Sequence, residues 1–192
     1  MNSKSLKTNT GITIRGPLII KPKIFRDNRG FFMESWNKKD LNQLTNSNID
    51  FVQDNHSSST KGVLRGMHYQ VDPVPQGKLV RCISGKIYDV IIDIRKSSPT
   101  FKSWAGVFLD SKDHEQLWIP VGFAHGFLTI SNTAEVLYKA TNFWSAECEQ
   151  SICWNDPTIS IDWPKIDKNL CISEKDNSAQ KFNEKLKTNF FQ

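Results

Sequence analysis

Hydrophobic and polar residues alternate in short runs through most of this chain, with a period near two rather than 3.6. The clearest stretch sets Lys78–Ile83 against Lys86–Ile94 across Ser84-Gly85, a two-residue turn that predicts a β-hairpin. In its second strand Tyr88, Val90, Ile92 and Ile94 share one face, opposite Ile87, Asp89, Ile91 and Asp93. Further strand-like runs are Ser103–Leu109, Gln116–Ile119, His125–Ile130 and Glu135–Thr141. Trp36–Thr45 reads as a short helix between N-terminal strands. Beyond Trp163-Pro164 the pattern changes, and Ser173–Leu186, polar and rich in helix formers, predicts a C-terminal helix. The expected chain is one all-β domain, with an N-terminal arm over about 1–30, a barrel over about 31–164 and a helical tail over about 165–192. An open sheet of this many strands would expose its edges, so closure or dimerisation is expected.

Composition bounds the function more than it directs it. A length of 192 residues with 38% hydrophobic and 23% charged residues is ordinary for one globular domain. No apolar run approaches the roughly 20 residues of a membrane span, and the polar start MNSKSLKTNTGITIRGPL lacks the apolar segment of a secretory signal. Cys82, Cys148, Cys153 and Cys171 show no paired metal or redox spacing and read as reduced thiols of a cytoplasmic protein. The net charge of +5 is carried by the chain's ends: residues 1–28 hold six basic residues against one acidic, whereas residues 29–164 hold 13 basic and 15 acidic. That distribution is not the basic stripe of a nucleic-acid binder.

Candidate chemistry starts with four histidines, His56, His68, His114 and His125. His68 lies in LRGMHYQ, on a strand that sets Gly66, His68 and Gln70 on one side, and the glycine leaves room for something to approach. A satisfied core or rim histidine is the plainer reading of that segment. His125 closes the spacing Pro120-x-Gly122-x-x-His125, the second motif of the cupins, double-sheet jelly rolls in which this turn aims the histidine into the barrel mouth. Metal-binding cupins supply two further histidines as His-x-His; here the segment reads His68-Tyr69-Gln70, so a three- or four-ligand site is not expected.

A histidine without metal can still act as a general base when a carboxylate orients its ring. Asp89, Asp93, Glu149 and Asp176 are the candidates, although Ser173-x-x-Asp176 equally resembles a helix capping box. Tyr138 shares a strand face with Ala134, Val136 and Ala140, which suits either a phenol in a cavity or a core tyrosine. Lys78 begins a strand beside Val80 and Cys82, where it could hold an enolate oxygen or snorkel outward.

Seven segments in order carry a resemblance over about Gly16 to Asp176: IFRDNRGFFMESW, FVQDNHSSSTKGVLRGMHYQ, QGKLVRCISGKIYDVIIDIRKSSPTF, LWIPVGFAHGF, EVLYKATNFW, WNDPTISIDWP and SEKD. Together they resemble the dTDP-4-dehydrorhamnose 3,5-epimerase family. The resemblance implies a cupin-type jelly roll, a homodimer whose N-terminal strands reach into the neighbouring subunit, a nucleotide-linked 4-keto-6-deoxyhexose as substrate, and no cofactor. It implies His68 as the base at sugar carbons 3 and 5, Lys78 at the developing oxyanion, and Tyr138 as the acid on the opposite face. Asp176 would pair with His68 and Asp89 with His125. Arg29 and Glu34 would come from the neighbouring subunit. Gln53, Asp54 and Asn55 would form the base- and sugar-recognising loop, and Arg65 would meet the pyrophosphate. Glu149 and Lys175 fall on matching binding positions. Where family members carry two tyrosines after the YK-x-T run, the second of them stacking on thymine, this chain has Phe143-Trp144. Trp144 keeps the stacking face and loses the hydroxyl. The rival readings are a mono-epimerase, a metal-dependent cupin oxygenase, and a sugar-nucleotide-binding cupin without catalysis.

Overall fold

The computed structural model describes residues 1–182. Its strands, in chain order, are β1 (Asn2–Lys7), β2 (Thr13–Lys21), β3 (Ile24–Asp27), β4 (Gly30–Met33), β5 (Gln53–Thr60), β6 (Val63–Gln70), β7 (Lys78–Ser84), β8 (Lys86–Asp93), β9 (Trp104–Asp110), β10 (Gln116–Ile119), β11 (Phe123–Thr129), β12 (Thr133–Ala140), β13 (Glu149–Ser151) and β14 (Cys171–Ile172). Two helices, α1 (Lys38–Thr45) and α2 (Glu174–Asn177), complete the set. Six strands form one sheet in the order β1-β2-β10-β7-β12-β5, and five form a second in the order β13-β6-β11-β8-β9. The two sheets make the expected double-sheet jelly roll. β14 adds to β6 in parallel, and β3 pairs with β4 as a separate ribbon.

Alternation along β8 explains how the layers assemble. Ile87 and Ile91 enter the core between the sheets with Val80, Leu117, Phe127 and Val136. Val90, Ile92 and Ile94 point the other way, into a second cluster closed by Cys148, Ile152, Ile159 and Phe182. Both faces of β8 are therefore buried, and each such aliphatic side chain contributes on the order of 1.5–3 kcal/mol. A third cluster covers the outer face of the larger sheet, where Leu41 of α1 packs with Ile20, Leu79 and Trp118.

Three expectations are corrected. Residues 2–21, read as part of an arm, form two strands of this chain's own larger sheet, paired to each other and to β10. The first helix starts at Lys38 rather than Trp36, because Asn37 is extended and its side chain accepts the N–H groups of Lys39 and Asp40. The C-terminal helix is one turn. Gln180 instead makes a parallel bridge with Ile152, and the Phe182 N–H donates to Asp156 Oδ2 at 2.6 Å while its ring enters the second cluster. Burying that ring in an extended segment outweighs the helix propensity of the sequence around it. The remainder of the expected helix, residues 183–186, lies outside the described residues.

Candidate active site

β6 and β11 run side by side with His68 opposite His125. They approach most closely at two glycines: a Cβ on Gly66 would lie 2.5 Å from the Gly126 Cα, and Gly66 has φ +134°. The room that Gly66 provides is thus taken by the neighbouring backbone and not by a ligand. Their common mouth is a cavity of about 580 Å³ lined by both histidines, Arg65, Lys78, Tyr138, Trp144, Glu149, Lys175 and Asp176, with Ser57, Phe127, Cys171, Ile172 and Ser173 among the remaining wall.

The two histidines are each held by a carboxylate. His68 Nε2 lies 2.6 Å from Asp176 Oδ1, and Asp176 Oδ2 accepts the Gly66 N–H at 3.2 Å. His125 Nε2 lies 3.0 Å from Asp89, which is fully buried. A carboxylate only accepts, so each pair fixes the ring proton on Nε2 and leaves Nδ1 as the basic nitrogen. Ser173 does cap α2 by accepting the Asp176 N–H at 3.1 Å, so the capping reading is half right: the backbone is capped and the carboxylate is turned inward to His68. Burial alone would lift the Asp176 carboxyl, but the His68 hydrogen bond and charge, with the Gly66 N–H, hold it below the ordinary carboxylate value. Asp93, the other carboxylate on that face of β8, is used up by Arg95, Ser98 and Thr100.

Lys78 and Tyr138 stand on adjacent strands of the opposite sheet, β7 and β12, with the Lys78 ammonium 5.9 Å from the Tyr138 ring centroid. Burial pushes the Lys78 amine down to about 8 against the opposing charges of Glu149 and Asp89. Burial also raises the Tyr138 phenol, helped by Glu149 and opposed by Arg65, so it is protonated at neutral pH.

At the rim, Trp144 is half exposed and its ring nitrogen donates to Glu149 Oε2 at 3.1 Å. Glu149 also receives Lys175. Burial of Glu149 works against its charge, but the Lys175 and Trp144 hydrogen bonds prevail and lower its pKa. Arg65 reaches along β5, with Nε donating to Ser59 Oγ at 3.1 Å. On β5 the alternation separates the expected recognition run. Gln53 and Asn55 are partly buried and joined by a 2.9 Å hydrogen bond, exposed Asp54 takes Lys139 at 2.8 Å, and none of the three lines the cavity itself. Strand parity thus sets Asp54 on the face of β5 opposite Gln53 and Asn55. Arg29 and Glu34 also lie outside this cavity: Arg29 pairs with Asp27 on the exposed ribbon and Glu34 accepts from Asn37.

Several wall residues escaped the sequence reading, Ser57 and Cys171 among them for different reasons. Ser57 continues the Gln53–Asn55 face by two and was findable by parity. Cys171 comes from the distant parallel strand β14, for which no local signal exists. Among the described residues no group of three or more His, Cys, Asp or Glu could hold a metal ion, and no helix is long and apolar enough to cross a membrane. At Gln70, where a metal-binding cupin would place its second histidine, the amide is spent on backbone groups of Val74, Phe143 and Ser145.

Comparison with known proteins agrees with this arrangement. The family model for dTDP-4-dehydrorhamnose 3,5-epimerase matches residues 11–184. The dTDP-4-dehydrorhamnose 3,5-epimerase of Shigella flexneri is 55% identical over 165 residues, 86% of this chain and 90% of its own. The crystal structure of the enzyme of that name from Elizabethkingia anophelis is 42% identical with a TM-score of 0.87, covering 96% of this chain and 99% of that one. A dTDP-6-deoxy-D-glucose-3,5-epimerase from Legionella pneumophila, solved with dTDP-4-keto-L-rhamnose, is 44% identical with a TM-score of 0.86, covering 94% and 93%. With the family model spanning most of its length and relatives of this identity, the chain belongs to the dTDP-4-dehydrorhamnose 3,5-epimerase family.

Proposed function

We infer that this chain is an isomerase converting dTDP-4-dehydro-6-deoxy-D-glucose to dTDP-4-dehydro-L-rhamnose by inverting carbons 3 and 5. The observation that carries the reading is a carboxylate-held His68 in one cavity with a protonated Tyr138 and a buried Lys78, on a chain of this family. The product bound in the Legionella relative supports the same substrate class.

Both protons to be removed lie beside the C4 ketone, so each departs to give an enolate. His68 Nδ1 takes the proton and Asp176 stabilises the imidazolium that forms. Lys78 meets the negative charge gathering on O4, in surroundings where a fixed cation is worth more than in water. Tyr138 returns a proton to the opposite face, and its raised pKa keeps that proton available. His125, locked by Asp89, lines the same wall and orients the sugar through its second nitrogen. Arg65 and Lys175 take the pyrophosphate, Glu149 sets Trp144, and Trp144 stacks on the base with Gln53 and Asn55 beside it.

The single epimerase domain acts as a cytoplasmic homodimer. Support comes from the β3–β4 ribbon, which carries Arg29 and exposes Phe25, Phe31 and Phe32, a patch of the kind that marks an interface. In that assembly Arg29 and Glu34 serve the neighbouring subunit's cavity. Four free thiols suit a reducing compartment.

Proton NMR of dTDP-4-keto-6-deoxyglucose incubated with the protein in deuterated water tests the reading. Deuterium at carbons 3 and 5 is the expected result. Label at one carbon only would make the chain a mono-epimerase, which the replacement of tyrosine by Trp144 would favour. Binding without any label would leave a sugar-nucleotide-binding module.

A further inference from the structure

Trp144 is half exposed at the cavity rim, where a ring with so much free surface ordinarily samples several positions. Here the backbone around it is held on both sides by one side chain. Gln70, 3% exposed at the end of β6, donates through Nε2 to the Phe143 carbonyl at 3.1 Å and to the Val74 carbonyl at 2.6 Å. Its Oε1 accepts the Ser145 N–H at 2.8 Å. The carbonyl before Trp144 and the N–H after it therefore end on the same carboxamide. Trp144's own N–H goes to Gln53 Oε1 at 2.8 Å, and its ring nitrogen goes to Glu149.

We propose that Gln70 is the positioning residue for nucleotide recognition, acting through Trp144 by fixing the loop on both sides of that ring. The inference rests on Trp144 receiving the base, as in the function proposed above. The chemistry requires a neutral amide: two donors and an acceptor must leave one planar group, and glutamine and asparagine alone offer that. Asparagine is one methylene short of the three partners. Glutamate would set acceptor oxygens against the Val74 and Phe143 carbonyls, and methionine fills the space with no hydrogen bond. Gln70 is buried and does not line the cavity that would hold the sugar. Its effect should therefore fall on nucleotide affinity, and the proton-transfer groups His68, Lys78 and Tyr138 should be little disturbed.

The test is calorimetric titration of dTDP into the wild-type protein, Gln70→Met, Trp144→Ala and the double variant, with steady-state kinetics of the first two. Gln70→Met is expected to weaken dTDP about tenfold and raise KM likewise, with kcat within about threefold of wild type. In the Trp144→Ala background the same change is expected to add nothing further to Kd, because the ring it positions is gone. Unchanged dTDP affinity, a loss confined to kcat, or additive effects in the double variant would each overturn the proposal. Should Gln70→Met fail to fold, Gln70→Asn is titrated in its place, with the same expected direction. Wild-type protein that binds no dTDP would defeat the functional reading itself and this inference with it. Wild-type binding with an unaffected Gln70 variant would defeat this inference alone.

Discussion

The Asp176 carboxylate reaches His68 Nε2 at 2.6 Å from a one-turn helix 108 residues further along the chain. Its other oxygen takes the Gly66 N–H, two residues before the histidine, so one carboxylate fixes both the ring and the strand that bears it.

Replacing His68 by Ala should abolish turnover while leaving the fold intact, since the side chain is partly exposed at a cavity wall and outside every hydrophobic cluster. Deuterium exchange followed by NMR and a circular dichroism spectrum read the two halves of that expectation. A variant that keeps near-native exchange would move the base elsewhere.

Asp176→Asn should lower kcat by roughly 10²- to 10⁴-fold, because the amide can offer its N–H to the ring and favour the wrong tautomer. It also carries a pH signature. The carboxyl titrates lower in the folded protein than in the unfolded one. Its contribution is therefore complete above the ordinary carboxylate value near pH 4, and fades as the pH falls through the lower folded value. Denaturation of wild type and variant at pH 7 and at pH 2.5 should show a stability gap that shrinks in acid. A gap that is constant with pH would mean that ionisation of the Asp176 carboxyl contributes nothing to stability.

The double approach at Gly66 and Gly126 makes a backbone prediction. Gly66→Ala puts a methyl 2.5 Å from the Gly126 Cα at a φ of +134°, where nothing but backbone movement relieves it. The expected loss is about 3 kcal/mol or more, visible as a fall in Tm or as insoluble protein. A soluble variant of unchanged Tm would show that β6 and β11 separate more easily than their register suggests.

Legibility in the sequence followed the hydrophobic pattern. β7, β8, β10 and β12 were readable because one or both of their faces are apolar. β5 was not, since QDNHSSST has no apolar position: its inner face is polar where it borders the cavity, and its outer face is in solvent. A drawn strand would have set Asp54 on the face opposite Gln53 and Asn55. β1, NSKSLK, has a single apolar position, the buried Leu6, too few to show an alternation. Asp176 shows the other limit. Ser173-x-x-Asp176 is a true local cap, and nothing local tells that its carboxylate faces a histidine far away in sequence. The tail was misread through Phe182 and Asp156, whose contacts are likewise distant.

Trp144→Ala should raise KM about 5- to 150-fold, the range that loss of base stacking spans, with kcat changed far less. Glu149→Gln is milder and informative: its amide can accept the indole N–H but gives Lys175 no opposite charge. KM should then rise less than in Trp144→Ala. Equal effects would mean that the charge on Glu149, and not the ring it holds, governs binding.

Lys78 is where activity and stability should part. Its amine is pushed down to about 8 in the folded protein by burial, from an ordinary value near 10.5. The folded state therefore releases this proton first, so the charged amine weighs against folding below about pH 8. That burden lifts as the pH rises from about 8 toward 10.5. Lys78→Met removes the burden and should raise Tm at pH 7, with an advantage that narrows as the pH approaches 10. The same variant should lose roughly 10²- to 10³-fold in kcat, because no cation then meets the enolate oxygen. In the wild type, kcat/KM should fall on the alkaline side with an apparent pKa near 8, because the protonated amine is the working form. Thermal unfolding and a pH–rate profile decide it together. A variant that is both less stable and fully active would show that Lys78 serves the core and not the reaction.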